Sequence, residues 1–404
     1  MSERKFRDNL AIFSWALYDF ANTFFAMNVV SLYFALWVTV DKGGKDIFYS
    51  LAIASSMFFM ILFLPPLGII SDRIGKRMPF LIYSTLLCII FTGILGTISP
   101  LIIGLLIFSM ANFFYQLASV FYNSLLTQIS PPDEIGRVSG YGVSLSYLGT
   151  ISALVLVRPF VLRSGNQAAF IPTALYFLLF SLPCFLFVRE RPHQITSKIG
   201  PLKPIRGLKD TVGDLKRIPH LFNFLLASFL SLNAINTVLI FMGVYAKKVI
   251  GFLDVELNNF FILSSVFAIF GSVLSGFISD RIGPKRTMSL VLFFWALTLS
   301  IAILSFEKGV FWIVGPMGGI SLGATWTVSR ALAIRIIPKS RLAEFFGVYG
   351  ITGKISSLLG PIIWGAIILF LEPIGLLRYR FAIGCLLAFI ILGYLFLERI
   401  PDSI

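Results

Sequence analysis

The sequence predicts an all-α membrane protein with twelve transmembrane helices in two pseudo-symmetric six-helix bundles, and three observations predict it. Of the 404 residues, 57% are apolar and only 13% are charged, far from the balance of a water-soluble domain. The apolar residues gather in runs of about 20 or more, the length a helix needs to cross a ~30 Å hydrocarbon core. A charged loop motif also recurs half a chain later. With a mean hydropathy of +0.90, water is not the main solvent of this chain.

Apolar runs broken by charge or by Gly and Pro place spans near 10–38, 48–70, 79–98, 100–129, 138–162 and 167–188, then near 220–246, 258–279, 287–305, 309–334, 343–371 and 381–397. Backbone groups in lipid must bond within their own segment unless a barrel closes. These runs lack the two-residue alternation of barrel strands, so they are expected to be helices. The opening MSERKFRDNL leads into an apolar stretch too long for a signal-peptide core, and the first span is expected to be retained. The spans form an N-terminal bundle, 1–188, and a C-terminal bundle, 220–404, joined by a basic linker, 189–219, with eight Lys and Arg residues. Its stretch PLKPIRGLKDTVGDLKRI interleaves basic and apolar residues, which suits either a short helix on an anionic membrane surface or a solvated linker.

The formal charge of +14 does not call for nucleic acid, because Lys and Arg are spread over short loops rather than gathered in one basic domain. They favour the N-terminus, the even-numbered connections and the C-terminus, which puts both termini in the cytosol. Cys88, Cys184 and Cys385 lie inside apolar segments without metal-like spacing and read as packing residues. No metal or cofactor is expected.

GIISDRIGKR, from Gly68 to Arg77, returns as GFISDRIGPKR, from Gly276 to Arg286, at an offset of 208 residues. Pro131 and Pro338, and Gly140 and Gly347, repeat at 207. Two matches at nearly one offset imply a duplicated six-helix unit of parallel topology. Gly68 and Gly276 let helices approach closely, and Asp72 and Asp280 suit a helix N-terminus or an arginine. With Arg73, Gly75, Arg77, Arg281, Gly283 and Arg286, this is the chemistry of a gate more than of a binding site.

A G-x-x-x-D-R-x-G-x-[KR] loop after the second and eighth spans resembles the major facilitator superfamily, and the resemblance covers the whole chain. WALYDFANT (Trp15 to Thr23), PPDEIGRVSGYGVSLSYLG (Pro131 to Gly149) and SRALAIRIIPKSRLAEFFGVYGITGKISSLLGP (Ser329 to Pro361) are similar to its vacuolar-effluxer-like branch. The resemblance implies the major facilitator fold, a secondary transporter working by alternating access, and a switching role for the loop residues. Fungal members of the branch are associated with amino-acid efflux from vacuoles, while its bacterial members are mostly of unassigned substrate. One departure is Asn233-Ala234 in span seven, where relatives are expected to carry Asp-Gly.

Polar residues recur every third helix: Asp19, Asn22 and Asn28 in span one, Asn112, Gln116 and Asn123 in span four, Asn233 and Asn236 in span seven, and Arg330 in span ten. Such groups are costly in a bilayer unless they face a bundle interior or a cavity, so helices 1, 4, 7 and 10 are expected to line the path while 3, 6, 9 and 12 face lipid. Trp15-Asp19-Asn22, Asn112-Gln116-Ser119-Asn123, Asn233-Asn236-Thr237 and Trp326-Ser329-Arg330 each keep to one helical face. The alternative is that Asn and Gln act as interhelical glue worth ~0.6 kcal/mol each. At ~1.5 Å per residue, Asp19, Lys354 and Arg330 lie about 14, 14 and 10 Å from one membrane face, a common layer in which a lone charge is expensive.

The candidate substrate residues are therefore Asp19, Asn22, Asn112, Gln116, Asn233, Asn236, Trp326, Arg330 and Lys354. In one reading Arg330 and Lys354 hold a carboxylate or phosphate and Asp19 an amine, as suits an amino acid or another small zwitterion or anion. In another, Asp19 takes up a proton and couples transport to the proton gradient. A structural ion pair is the third. The expectation is a monomeric transporter of a small-molecule substrate, surrounded by membrane lipids, with protons as a coupling ion under the second reading and no nucleic acid as partner. Compact loops point to a bacterial inner membrane. A lipid flippase or solute sensor on the same scaffold is the alternative. An intramembrane enzyme is disfavoured, because His193 and His220 lie in the linker and at its edge, and Asp19 lacks a second carboxylate.

Overall fold

The computed structural model describes residues 2–130, 135–190, 219–336 and 342–401. The proline pair at 131–132, Pro338 and the linker stretch read as either a surface helix or a solvated linker lie outside these residues. The structure divides into two compact units, Met1–Ser197 and Lys198–Ile404, and the described residues hold helices and no strand.

Unit 1 contains α1 (Ser2–Phe24), α2 (Asp46–Ile74), α3 (Met78–Leu95), α4 (Leu101–Ile129), α5 (Ile135–Ser164) and α6 (Phe170–Phe187). Unit 2 contains α7 (Pro219–Lys248), α8 (Asp254–Ile282), α9 (Pro284–Leu304), α10 (Lys308–Ile336), α11 (Leu342–Phe370) and α12 (Leu377–Glu398). Eleven are long and apolar enough to cross a membrane. The remaining one, α10, has 29 residues, about 43 Å at 1.5 Å per residue, but glycines and arginines dilute its apolar run. Several helices outrun their apolar runs by up to a turn, because their polar ends find partners. At α8, Lys247 pairs with Asp254 at 2.5 Å, Lys308 pairs with Glu256 at 2.7 Å, and the Leu253 amide donates to Glu256 at 2.7 Å.

The first helix departs from the expected α-helix. Beyond Phe24 it continues as a π-helix over Phe25–Tyr33, a short α-helical stretch over Phe34–Leu36, and π-helix again over Trp37–Asp41. Long π stretches are rare because i→i+5 bonding widens the turn. Here neighbours secure it: Asn28 donates to the Ala153 carbonyl at 3.3 Å and to the Thr173 hydroxyl at 3.2 Å, and the Tyr49 hydroxyl donates to the Val30 carbonyl.

The same helix pairs pack in each unit: α1 on α5 and α6, α2 on α4, and α3 on α4 and α6, mirrored by α7 on α11 and α12, α8 on α10, and α9 on α10 and α12. The duplication read from two loops thus extends to the packing of each bundle. One seam differs in chemistry. Between α2 and α4, Ser109 donates to the Ala52 carbonyl at 3.0 Å and Asn112 to the Ser56 hydroxyl at 2.6 Å. Between α8 and α10 the backbones themselves touch. A Cβ at Gly319 would lie 2.0 Å from the Ser264 carbonyl, and one at Gly323 would lie 2.0 Å from that of Ala268. At the repeat offsets, Ser264 answers to Ser56, and Gly319 and Gly323 answer to Asn112 and Gln116.

Gly319→Ala should therefore force α8 and α10 apart and cost about 1–3 kcal/mol, as overpacking does. Gly309→Ala, at the start of the same helix with open space around it, should be close to neutral. Thermal unfolding of the detergent-solubilised protein compares the two, and equal midpoints would refute the close-packed seam.

Candidate functional site

In unit 1 the α1 face Trp15-Tyr18-Asp19-Asn22 meets the α4 face Tyr115-Ser119-Tyr122, residues spaced i, i+4, i+7 that share one side of a helix. Trp15 stacks on Tyr122 with ring centroids 4.5 Å apart and donates its indole N–H to the Tyr122 carbonyl at 3.2 Å. Tyr18 stacks on the same ring and shares a 2.6 Å hydrogen bond with Thr85 of α3. These contacts hold the α1 face against α4.

Gly142 of α5 completes the cluster. A Cβ there would lie 3.1 Å from the Trp15 ring, 3.2 Å from the Asp19 Oδ2 and 3.2 Å from the Tyr122 hydroxyl. Carboxylate and phenol therefore converge on one point that a glycine keeps open. The Tyr115 phenol lies beside Asp19, Asn22 and Ser119. Asn22 is buried with its Oδ1 unpartnered. Asn112 is fully buried one turn away, with its amide spent on Ser56 and its own Oδ1 unpartnered. Gln116 is half-buried on the same helix.

In unit 2 the polar residues gather along α7, α10 and α11. Asn236 donates to the Ser357 hydroxyl at 2.9 Å. Asn233 is buried, donates to the Phe229 carbonyl at 3.2 Å and keeps an unpartnered Oδ1 near Gly360. Tyr349 brings its phenol beside Ser329 and Arg330. Arg330 and Trp326 are exposed on α10, and Lys354 is half-buried on α11. Unit 1 thus concentrates a carboxylate, amides and phenols, whereas unit 2 concentrates two cations with a phenol and amides.

Tyr115, Tyr122, Gly142, Tyr349 and Ser357 are absent from the sequence-based set. Counting only Asn, Gln and charged residues passes over phenols and hydroxyls, although the Tyr115-Ser119-Tyr122 spacing marks the face. Asn28, by contrast, ties α1 to α5 and α6.

The two repeated loops are built alike. Gly75 has φ of 67° and Gly283 of 89°, conformations that suit glycine, and their amides close the preceding helices on the Ser71 and Ser279 carbonyls, each at 3.0 Å. In the first loop Arg77 donates to the Ser124 carbonyl of α4 at 2.8 Å. In the second, Arg335 of α10 comes within 3.5 Å of where a Gly283 Cβ would be. The fourth helix of each repeat thus touches the loop. Gly276 faces Thr327 of α10, while Asp280, Arg281 and Arg286 are exposed. Gly68, Asp72 and Arg73 lie on α2, their side chains outside the described set.

Residues 46–401 match a family described as vacuole effluxer Atg22 like. Among curated proteins, the chain is 24% identical to the uncharacterized MFS-type transporter YxiO of Bacillus subtilis (strain 168), covering 96% of this chain and 94% of that one. It is 27% identical to an uncharacterized protein of Aquifex aeolicus (strain VF5), covering 90% and 91%. Among solved structures, the nucleoside transporter NupG superposes with a TM-score of 0.76 at 14% identity, covering 97% of this chain and 99% of that one. At that identity the likeness speaks for the fold alone.

The first loop is also clamped from the segment that follows α6. Glu190 accepts from the backbone amides of Arg77 and of Met78, the latter at 2.8 Å, satisfying two of the four donors that open α3. Glu190→Ala should lower stability by about 1 kcal/mol, as loss of a helix cap does, and speed amide hydrogen exchange at Arg77 and Met78. Unchanged exchange there would remove the clamp.

Proposed function

The chain belongs to the vacuole effluxer Atg22-like family of major facilitator transporters, a multi-pass membrane protein, and we propose that its solute is a small zwitterion of the amino-acid class. The observation that carries this reading is the division of charge: Asp19 with Asn22, Tyr115 and Tyr122 in unit 1, Arg330 and Lys354 with Tyr349 in unit 2. A carboxylate flanked by phenols and amide oxygens suits an ammonium group, by charge and by accepted hydrogen bonds. A guanidinium and an ammonium suit a carboxylate. A solute that visits both units in the course of the cycle meets both sets only if it carries both charges. The unpartnered oxygens of Asn22, Asn112 and Asn233 supply further acceptors, with Gln116, Asn236 and Trp326 as lining. The loops from Gly68 to Arg77 and from Gly276 to Arg286 act as the gates, in a monomer with both termini on the cytosolic side of a bacterial inner membrane.

A second reading concerns energy coupling. An aspartate at bilayer depth is costly when ionised and relieved by protonation, so Asp19 is the proposed proton carrier of the same cycle.

Both readings are tested by uptake and efflux of amino acids and small organic anions in proteoliposomes, with and without an imposed pH gradient. Arg330→Ala should raise KM for a zwitterion at least tenfold. Asp19→Asn should abolish gradient-driven flux while solute exchange persists if Asp19 carries the proton, and should abolish both if it only holds the amine. Wild-type flux in both variants would reject the proposed site.

A further inference from the structure

Tyr349 of α11 is held on two sides. Its ring stacks on Phe224 of α7, with centroids 5.5 Å apart and planes 22° from parallel, and its phenol shares a hydrogen bond with the Ser329 side chain and lies near Arg330. Phe224 and Ser329 are buried, whereas Arg330, the next residue on α10, is exposed. The phenol therefore joins α7, α10 and α11 next to an exposed cation.

The duplication gives this contact a counterpart. At the 207-residue offset of Pro131 and Pro338, Ser329 answers to Tyr122 and Tyr349 answers to Gly142. Those two residues also face each other in unit 1, where a Gly142 Cβ would lie 3.2 Å from the Tyr122 hydroxyl. Tyr122 stacks on an aromatic ring of the first helix of its bundle, Trp15, as Tyr349 stacks on Phe224 of α7. Each bundle thus fits one phenol into the contact between its fourth and fifth helices. The fourth helix supplies it in unit 1 and the fifth in unit 2, and the facing residue is small in both. Exchanging large for small on both sides of one contact keeps its volume.

Volume alone would be served by a phenyl ring. In both bundles the hydroxyl lies near a charge, Asp19 in unit 1 and Arg330 in unit 2. A phenol that donates to Ser329 keeps oxygen lone pairs with which to accept from a guanidinium. Unlike a carboxylate, it can hold that cation in place without cancelling its charge.

We propose that Tyr349 is a positioning residue for Arg330. Anchored by Phe224 and Ser329, its hydroxyl sets the direction of the guanidinium for a two-pronged grip on the solute's carboxylate, a grip that depends on the orientation of the planar fork. This role rests on the reading of Arg330 as the carboxylate's partner.

To test it, an equimolar mixture of neutral amino acids is offered to proteoliposomes, and half-saturation is measured for the one taken up most. Tyr349→Phe keeps the ring on Phe224 and removes only the hydroxyl. It should raise the half-saturation concentration about fivefold, the worth of one hydrogen bond, and by more than it lowers the maximal rate. In an Arg330→Ala background the same substitution should have no further effect, because residues that act through one another are not additive. A merely structural phenol would multiply the two losses. Ser329→Ala should reproduce the loss seen in Tyr349→Phe, so the role stays testable if that variant does not fold. Wild-type half-saturation in Tyr349→Phe and Ser329→Ala, or an undiminished effect of either in the Arg330→Ala background, would overturn the positioning role alone. Wild-type half-saturation in Arg330→Ala, or no uptake by the wild type, would reject the underlying reading of the site and the positioning role with it.

Discussion

A polar side chain inside a hydrocarbon slab has to find its partner within the bundle that carries it, and this requirement orders each unit. Water is not there to accept the bond, so an unmade one costs several kcal/mol. The bonds that answer it tie helix to helix: Tyr18 to Thr85, Asn28 to Ala153 and Thr173, Asn112 to Ser56, Trp295 to Thr325, Ser272 to Thr327, Asn236 to Ser357. Because lipid offers little hydrophobic force between helices, these bonds and close backbone contacts must set which face of each helix turns inward. Function can then occupy only the polar atoms that packing leaves over.

The two repeats solve one packing problem with different chemistry. In unit 2, Gly319 and Gly323 bring the α10 backbone onto α8, and the Ser272–Thr327 hydrogen bond continues this close-packed seam. In unit 1 the same positions are Asn112 and Gln116, and the seam is held by hydrogen bonds through Ser56 and Ser109. The amide seam leaves the Asn112 Oδ1 over. Duplication supplied the architecture, and divergence gave the Asp19 carboxylate to one polar cluster and the Arg330 and Lys354 cations to the other.

Much of this was legible in the sequence, for a physical reason. Backbone satisfaction in lipid forces long contiguous apolar runs, so twelve helices could be read off, and the repeated loop betrayed the duplication. The polar residues of the spans could be named but not assigned. Asn112 reads as lining, yet its amide is consumed by Ser56, because a one-dimensional spacing does not say which neighbouring helix lies opposite. Tyr115, Tyr122 and Tyr349 escaped notice since a phenol counts as apolar in a hydropathy run. The π-helical stretch of α1 was invisible for a related reason. Phe25, Met27, Asn28, Val29, Leu32 and Tyr33 are all buried, and a segment buried around most of its circumference shows no periodicity from which turn width could be judged.

That π-helical stretch also divides α1 by chemistry. Beyond Phe24, Asn28 is bonded to α5 and α6, Thr39 donates to the Ala35 carbonyl at 2.8 Å, and the Val30 carbonyl accepts from Tyr49. Their capacity goes into holding a helix form that would otherwise relax. Before Phe24, Trp15 and Tyr18 bond to α4 and α3, and other polar groups are left over. Thr23 donates to the Asp19 carbonyl at 2.8 Å, so the backbone is secured locally. The Asn22 Oδ1 is left unpartnered, and the Asp19 carboxylate borders the gap kept open by Gly142. A helix anchored through Trp15, Tyr18 and Asn28 can present Asp19 and Asn22 without the two demands competing. The chemistry of α1 is therefore concentrated between Trp15 and Asn22, within the segment that carries the WALYDFANT motif.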